Sequence, residues 1–283
     1  MNNAQVTVKA SKLPGILIEK YIYTAGSLEP LPKHSHHEYQ LGLSFNCQGE
    51  YFYRGAYHPI PIGNLSIIHS GEVHSPSERT YLPEPATFWM MHVDPSLLEE
   101  VAAEIANKFV NLPFFTESVL GDRYLRELFH NLCIAVETNA TELEKDSLIL
   151  DFFSNLIVQN TRLSPKSYQT VKPAISAKPR HCEIAIVCDF LQAHYQENVS
   201  LAELAKISGL SRFYLSRLFR REMGLSLSAY QRQIRIDRAK KLLAEGRSIT
   251  QVASETGFYD QSHFGWHFKR LVGTTPGNYR KEQ

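Results

Sequence analysis

The feature that most constrains this 283-residue chain is a unit of similar sequence that occurs twice in its last third. Each copy begins with an alanine followed four residues later by a glycine, Ala205 and Gly209 in the first copy and Ala253 and Gly257 in the second. The later positions repeat as well: Leu215, Phe219, Gly224 and Tyr230 correspond to Phe264, Phe268, Gly273 and Tyr279. Because a solenoid needs three or more stacked repeats, two copies indicate a pair of small modules.

Each copy has the pattern of a helix-turn-helix. The alanine lets two helices cross closely, and the glycine ends the first helix in a left-handed turn that a side chain would disfavour. At 100° per residue, an apolar stripe then occupies one face of the second helix in each copy. The residues expected to be buried on that stripe are Leu215, Leu218 and Phe219, and then Phe264, Phe268 and Leu271.

The opposite face of each second helix carries long polar, basic or aromatic side chains. A helix of this kind can lie in the major groove and reach bases and phosphates. The alternative is a helical bundle in which the alanine and glycine serve packing alone, but two copies with basic faces favour double-stranded DNA. The candidate DNA-binding residues are Arg212, Phe213, Ser216, Arg217 and Arg220, followed by Gln261, Ser262, His263, Trp266, Lys269 and Arg270.

The charge distribution supports the same interpretation. The net charge is only +1, but residues 1–179 hold 14 Lys and Arg against 19 Asp and Glu, whereas residues 180–283 hold 16 against 10. A basic C-terminal third fits a module that faces a polyanion. The four cysteines lack the CxxC spacing of a zinc knuckle.

The chain is long enough for two domains, and its pattern changes along its length. Short apolar runs separated by turn signals predict strands at 16–23, 39–45, 51–53, 65–69 and 86–93, which indicates a barrel or sandwich. Helices are predicted from about residue 95, over 122–137 and over 142–159, and residues 180–283 read as helical to the end. The predicted division is therefore a domain at 1–160, a proline-containing linker at 161–179 and a domain at 180–283.

Seven of the twelve histidines lie between His34 and His92. On a strand, His34, His36, Glu38 and Gln40 have the same parity and point the same way. We predict that these four residues, together with Tyr53 and His74, line a pocket for a small organic effector. The same region also allows a metal site at His34, His36, Gln40 and His74, although three histidines and a glutamine make a poor ligand set.

Residues 180–283 resemble the AraC/XylS family of bacterial transcription regulators. The family signature of the second repeat is visible as Ile249, Val252, Ala253, Thr256, Gly257, Phe258, residues 260–264, residues 268–270 and residues 273–280. The resemblance implies an all-α domain in which a long helix, here about 228–244, joins two helix-turn-helix units. It would hold the recognition helices one turn of DNA apart, about 34 Å. One departure is Trp266, which stands where the family commonly has arginine and where the first copy has Arg217.

The resemblance also implies an N-terminal cupin-like β-barrel that binds an effector, followed by a helical dimerisation segment, so that the whole is an α+β multidomain protein. In cupins, two histidines of a first motif and one of a second bind metal beside a carboxylate. Here Gln40 aligns with the carboxylate, and His69 with a usual proline. We therefore expect no metal and no other cofactor.

The favoured hypothesis is a cytoplasmic, non-enzymatic transcription activator that responds to a sugar or another small organic compound. Its expected partners are double-stranded DNA, RNA polymerase and a second copy of the chain, docked through helix 142–159. No apolar run is long enough for a membrane span, and the start lacks a secretory signal. The alternatives are a cupin metalloenzyme with a helical appendage, a metal-responsive regulator, and a constitutive DNA-binding protein whose barrel only dimerises.

Overall fold

A computed structural model describes residues 3–76, 80–106, 108, 110–138, 140–161 and 182–281. The predicted linker lies outside these residues except for Thr161, so the boundaries at 160 and 180 stay predictions. Ten of the strands within the described residues belong to the first hundred residues, and the helices follow them. The strands are β1 (Val6–Leu13), β2 (Ile16–Tyr23), β3 (Gly26–Ser27), β4 (Tyr39–Leu43), β5 (Gly49–Tyr53), β6 (Ala56–Ile60), β7 (Leu65–Ile68), β8 (His74–Pro76), β9 (Tyr81–Leu82), β10 (Ala86–Val93), β11 (Val119–Leu120) and β12 (Tyr279–Lys281).

The main sheet has seven strands in the order β11-β7-β4-β10-β2-β1-β12, and β6-β5-β8 form a second sheet beside it. Strands β2 and β10 have the bounds that their apolar runs predict, because a strand buried at the centre of a sheet reads as a continuous apolar segment. Strand β1 was missed. Its apolar residues alternate with polar ones, as is typical of a strand near an edge whose second face meets water.

Nine helices occur within the described part of the chain. They are α1 (Pro95–Ala106), α2 (Arg123–Glu137), α3 (Glu142–Asn160), α4 (Cys182–Ala193), α5 (Leu201–Ser208), α6 (Arg212–Met223), α7 (Leu227–Ala244), α8 (Ile249–Glu255) and α9 (Gln261–Val272). Helices α5 and α6 form the first helix-turn-helix unit, and α8 and α9 form the second. Gly209 ends α5 at φ +68°, where a residue with a Cβ would be strained.

The prediction that residues 180–283 are helical to the end is wrong. After α9, residues 279–281 form β12, which pairs in parallel with β1 at the edge of the main sheet. Pro276 and Gly277 stop a helix from continuing, and the Tyr279 ring is buried against Phe268, with ring centroids 5.3 Å apart. The C-terminal domain is helical as predicted apart from β12, which extends a sheet of the N-terminal part.

Three large apolar cores organise the molecule. The first lies between the main sheet and helices α1, α2 and α3. The third holds the first helix-turn-helix unit together with α4 and the start of α7. The second core is shared: Val8, Ala10 and Leu17 of β1 and β2 pack with residues of α7, α8 and α9. The second helix-turn-helix unit thus has no core of its own that is separate from the N-terminal sheet.

Helix α3 differs from its predicted role at specific residues. We expected a second copy of the chain to dock through this helix, but Phe152, Phe153, Leu156 and Ile157 of its apolar face are fully buried in the chain's own core. Leu148 and Ile149 pack against that core in part. The exposed apolar residues of α3 are Leu143, Leu150 and Val158.

If α3 mediates dimerisation, the contact therefore uses its exposed apolar residues, of which Leu143 is 77%, Val158 is 57% and Leu150 is 49% exposed. The double variant Leu143→Lys with Leu150→Lys should be monomeric by sedimentation velocity, because it places two charges in an apolar interface. Tyr124→Lys on the exposed face of α2 is the matched control and should stay dimeric. A double variant that still dimerises would contradict a role for α3.

Candidate functional site

A cavity of about 790 Å³ lies between the main sheet and helices α7 and α9. Both halves of the chain line it. The N-terminal residues on its wall include His34, His36, Gln40, Tyr51, His74 and His92, and the C-terminal ones include Gln233, Asp237, Lys240, Trp266, Lys269 and Arg270. A molecule bound in this space would touch the effector-domain candidate and the second helix-turn-helix unit at the same time.

His34, His36 and His74, here called the His triad, meet on one wall of the cavity. The backbones of His34 and His74 exchange two N–H···O bonds, each 2.9 Å long, which places the two side chains opposite each other. His36 lies two residues along, on the same face, and its ring centroid is 4.9 Å from that of His74. Each of the three histidines can offer a ring nitrogen, and these three atoms lie within 4.8 Å of one another.

The tautomers of the His triad follow from its hydrogen bonds. The Nδ1–H group of His34 donates to the carbonyl of Pro32 at 3.0 Å, and that of His36 to the carbonyl of Glu38 at 2.7 Å. His74 donates in the same way to Glu72 at 3.2 Å. Burial lowers the pKa of His34 to about 4 and that of His36 to about 3, and it lowers the pKa of His74 well below its usual value. All three rings are therefore neutral near pH 7. Nε2 of His34 and Nε2 of His74 keep their lone pairs, whereas both ring nitrogens of His36 face an oxygen, the Glu38 carbonyl at Nδ1 and Gln40 Oε1 at Nε2.

The Nε2 atoms of His36 and His74 have different surroundings. His36 Nε2 lies 3.1 Å from Oε1 of Gln40, on β4. His74 Nε2 is buried and has no hydrogen-bond partner among the described residues. A buried acceptor without a partner is uncommon, because it loses water without a replacement.

A buried ionic cluster lies beside the His triad, and its members are Glu19, His92, Lys240 and Tyr279. The ring centroid of His92 is 5.1 Å from that of His36. Glu19 on β2 is 0% exposed. Its carboxylate accepts hydrogen bonds from His92 at 2.9 Å and from the Tyr279 hydroxyl, and it forms an ion pair with Lys240 at 2.9 Å. Burial alone would raise the pKa of Glu19, but the charge of Lys240 and the bond from His92 outweigh it and lower that pKa to about 2.

Not every predicted effector residue reaches the cavity. His34, His36, Gln40 and His74 line it, but Glu38 and Tyr53 do not. The Glu38 carboxylate pairs with Lys241 of α7, and the Tyr53 hydroxyl lies 2.9 Å from Nδ1 of His69. Parity along a strand does not hold here because Glu38 precedes β4 and lies in a bend.

The helical faces predicted to meet DNA are exposed. On α6, Leu215, Leu218 and Phe219 are buried, and Arg212, Ser216, Arg217 and Arg220 are exposed; nothing is described of the Phe213 side chain. On α9, Phe264 and Phe268 are fully buried, and Leu271 is partly buried against the same core. The candidates Gln261, Ser262, His263, Trp266, Lys269 and Arg270 are all exposed.

Two exposed tyrosines, one on α6 and one just before α9, were not among the DNA-binding candidates predicted from the sequence. Tyr214 on α6 is 50% exposed, and Tyr259, in the turn before α9, is 93% exposed. Exposed tyrosines next to a basic helix can contact sugar and phosphate. The helical wheel alone could have found Tyr214, whereas Tyr259 lies in a turn that no periodicity describes.

The sequence matches two families along its length. Residues 23–153 match the AraC-like ligand binding domain, and residues 204–282 match a helix-turn-helix domain. The chain is 31% identical over 253 residues to the uncharacterised HTH-type transcriptional regulator YbfI of Bacillus subtilis (strain 168), covering 88% of this chain and 86% of that one. This chain belongs to the AraC/XylS family of transcriptional regulators. It is also 28% identical to the probable transcriptional regulator LumQ of Photobacterium leiognathi over 60% of this chain and 69% of that one.

Solved structures of this family share the fold. An apo form of ToxT from Vibrio cholerae, carrying one lysine-to-alanine substitution, superposes with a TM-score of 0.65 at 13% identity, over 95% of this chain and 98% of that chain. Wild-type ToxT with bound unsaturated fatty acid superposes with a TM-score of 0.56 at 13% identity, over 99% and 95%. The AraC-family assignment and the two-domain fold predicted from the sequence are confirmed. No helix in the described part of the chain has the length and apolar character needed to cross a membrane.

Arg217 and Trp266 occupy equivalent positions on α6 and α9, and they differ in what they can recognise. An arginine can donate two hydrogen bonds to guanine, worth about 1–3 kcal/mol at one base pair. Trp266 is 57% exposed and lies under Arg270, with the guanidinium 5.3 Å from its ring centroid. Arg217→Ala should therefore relax base preference at one position more than Trp266→Ala does.

Selection of binding sites from random DNA measures this difference. Arg221→Ala, a neighbouring exposed arginine at the end of α6, is the control and should lower affinity without changing the consensus. A consensus degraded by the Trp266 change alone would show that the two positions have the opposite roles.

Proposed function

We propose that this AraC-family regulator binds specific double-stranded DNA sites through α6 and α9, and that a small organic effector in the interdomain cavity controls this binding. The observation that supports the proposal is the composition of the cavity wall. The wall takes residues from the N-terminal sheet and from α7 and α9. An effector there has contacts to lose or gain when the two parts move relative to each other.

Three side chains of α9 belong both to the candidate DNA-binding surface and to the cavity wall. Trp266, Lys269 and Arg270 of α9 are candidates for DNA contact, and they also line the cavity. An arrangement in which they face the N-terminal part competes with one in which they face DNA. An effector shifts this balance only by the difference between its affinities for the two arrangements.

The chemistry of the wall favours an effector with an apolar body and a polar, hydrogen-bonding end. Leu43, Phe88, Met90 and Ile236 supply apolar surface, and Gln40 with the neutral His triad supplies donors and acceptors. Lys240 also lines the cavity, but its charge is already compensated by the Glu19 carboxylate. ToxT in its fatty-acid complex shares the fold of this chain, so an unsaturated fatty acid belongs in a first effector screen. Sugars are included because the favoured hypothesis from the sequence names a sugar or another small organic compound as the effector.

Three further parts of the proposal come from the family resemblance. They are homodimerisation, contact with RNA polymerase and activation of transcription in the cytoplasm. The relatives named above are transcriptional regulators, which supports a non-enzymatic role.

The effector proposal predicts that the double variant His34→Ala with His74→Ala binds the operator normally but no longer responds to effector. A duplex selected by the wild-type chain from random DNA serves as the operator, and fluorescence anisotropy measures its affinity with sugars or unsaturated fatty acids present. The exposed neighbour His37 provides the control, because His37→Ala removes an imidazole outside the cavity. If no compound in a broad metabolite screen changes operator affinity, the cavity has no regulatory role and the N-terminal part serves only dimerisation.

A second candidate function, a metal-responsive regulator, is favoured by the partnerless Nε2 of His74. In a metal site, each histidine commonly donates its other ring N–H to a carbonyl or carboxylate, which fixes the tautomer. All three members of the His triad do so here. Gln40 Oε1, 3.1 Å from His36 Nε2, is spaced as a neighbouring ligand of one ion would be. The residues present therefore fit a divalent transition metal such as Zn²⁺ better than their sequence indicated.

Titration of chelator-treated protein with Zn²⁺ tests this second candidate by calorimetry. A metal site at the His triad predicts one ion per chain for the wild type and for His37→Ala, and no binding for His74→Ala. Equal weak binding by all three proteins would exclude the His triad as a metal site and leave the organic effector alone.

A further inference from the structure

Arg235 of α7 lies where that helix passes from one apolar core to the next. Ile234, just before it, packs in the core of the first helix-turn-helix unit, and Ile236, just after it, packs in the shared core of the second unit. Arg235 itself is only 8% exposed. Its side chain therefore lies at the junction between the two DNA-reading modules.

The guanidinium of Arg235 binds backbone carbonyls from both sides of this junction. On the side of the first unit it donates to the carbonyl of Tyr195 through Nε at 2.7 Å and to that of Glu197 at 3.0 Å, with a longer contact to Gln196 at 3.4 Å. These three residues follow α4. On the side of the second unit it donates through Nη1 to the carbonyl of Gly257 at 2.6 Å.

The two backbones that Arg235 joins also touch each other directly. A Cβ built on Gly257 would lie 2.3 Å from the carbonyl oxygen of Gln196, so a glycine is needed for this approach. Gly257 is at φ +76°, in the turn between α8 and α9. Gln231, one turn before Arg235, donates to the carbonyls of Tyr195 and Glu197 at 3.3 and 2.9 Å. Two main-chain segments thus touch each other, Arg235 binds both of them, and Gln231 binds the segment after α4.

The charge of Arg235 is satisfied without a carboxylate among its described partners. Burial and the nearby Arg232 lower its pKa, and the guanidinium lies 5.8 Å from the centroid of the Phe258 ring. A guanidinium presents five donors in a rigid planar fork and can therefore hold carbonyls of separate segments in one geometry, whereas a lysine has three rotatable donors at the end of a flexible stem. Nε, Nη1 and Nη2 each have at least one carbonyl acceptor, which fixes the orientation of the guanidinium plane.

We infer that Arg235 is a positioning residue that fixes the separation and rotation of α6 relative to α9, and thereby the spacing of the two half-sites that the protein reads. This inference rests on the proposed reading of DNA by both units. Recognition helices held rigidly can meet bases in successive turns of the major groove at one spacing only. Without the clamp, α7 still joins the units, but their relative orientation has more freedom.

The experiment uses the full chain and a two-half-site duplex that the wild type selects from random DNA. The distance between half-sites is changed by one and by two base pairs, and affinity is measured by fluorescence anisotropy. For the wild type, a two-base-pair change should lower affinity by about tenfold or more, since one half-site is lost. For Arg235→Met and Arg235→Lys the loss should be about threefold or less, and affinity for a single half-site should equal that of the wild type.

The matched control is Arg238→Met. Arg238 is exposed on the same helix, and its guanidinium stacks over the Tyr195 ring at 5.6 Å on the side of the first unit alone. This variant loses the same charge and should keep the steep dependence on spacing. Circular dichroism establishes which variants are folded, and Arg235→Lys decides the question if Arg235→Met is not.

Folded Arg235 variants with the wild-type dependence on spacing would overturn the inference. So would variants that lose affinity equally for one and two half-sites, because that result marks a general structural role. If the wild type selects no two-half-site duplex at all, the proposed reading of DNA by both units is wrong, and the inference falls with it.

Discussion

The burial of Glu19 is the constraint on which the rest of the arrangement depends. A carboxylate that is 0% exposed is strongly unfavourable unless charges and donors compensate it. Here the compensation comes from both halves of the chain: His92 belongs to the N-terminal sheet, and Lys240 and Tyr279 belong to the C-terminal part. Separating the two parts would leave the carboxylate to be rehydrated. The ionic cluster therefore stabilises the docking of the second helix-turn-helix unit on the sheet.

The docking of the two parts connects the cavity to the proposed control of DNA binding. His92 and Lys240 belong to the ionic cluster and also line the cavity, so a bound molecule contacts the groups that hold the two parts together. Further contacts reach both recognition helices, because Leu31 lies beside Gly273 after α9 and Val73 beside Gly224 after α6. The interface combines apolar packing, ion pairs and strand pairing. In contrast, Arg235 acts within the C-terminal part and sets its internal geometry.

Local patterns predicted much of the molecule. Strands β2 and β10, the apolar faces of α6 and α9 and the exposed DNA candidates follow from periodicity within single elements, and the repeated Ala-x3-Gly pattern led to the family. What the sequence could not predict is contact between distant segments. Tyr279 and Glu19 are 260 positions apart, β12 pairs with a strand near the start, and Lys240 forms an ion pair with Glu19 of the other domain. The expectations for Glu38 and for helix α3 failed for a related reason. Lys241 determines where the Glu38 carboxylate points, and the first core buries most of the apolar face of α3.

Hydrogen exchange at one amide tests the central claim, that DNA binding competes with docking, most directly. The Val8 N–H on β1 donates to the carbonyl of Asn278 at 3.1 Å, across the contact between the two parts. In the free protein this amide should be protected, because its acceptor lies in the docked C-terminal part. Saturation with the selected operator should accelerate its exchange, whereas amides of β10 in the centre of the sheet stay unchanged. Undiminished protection of Val8 in the DNA complex would contradict the account.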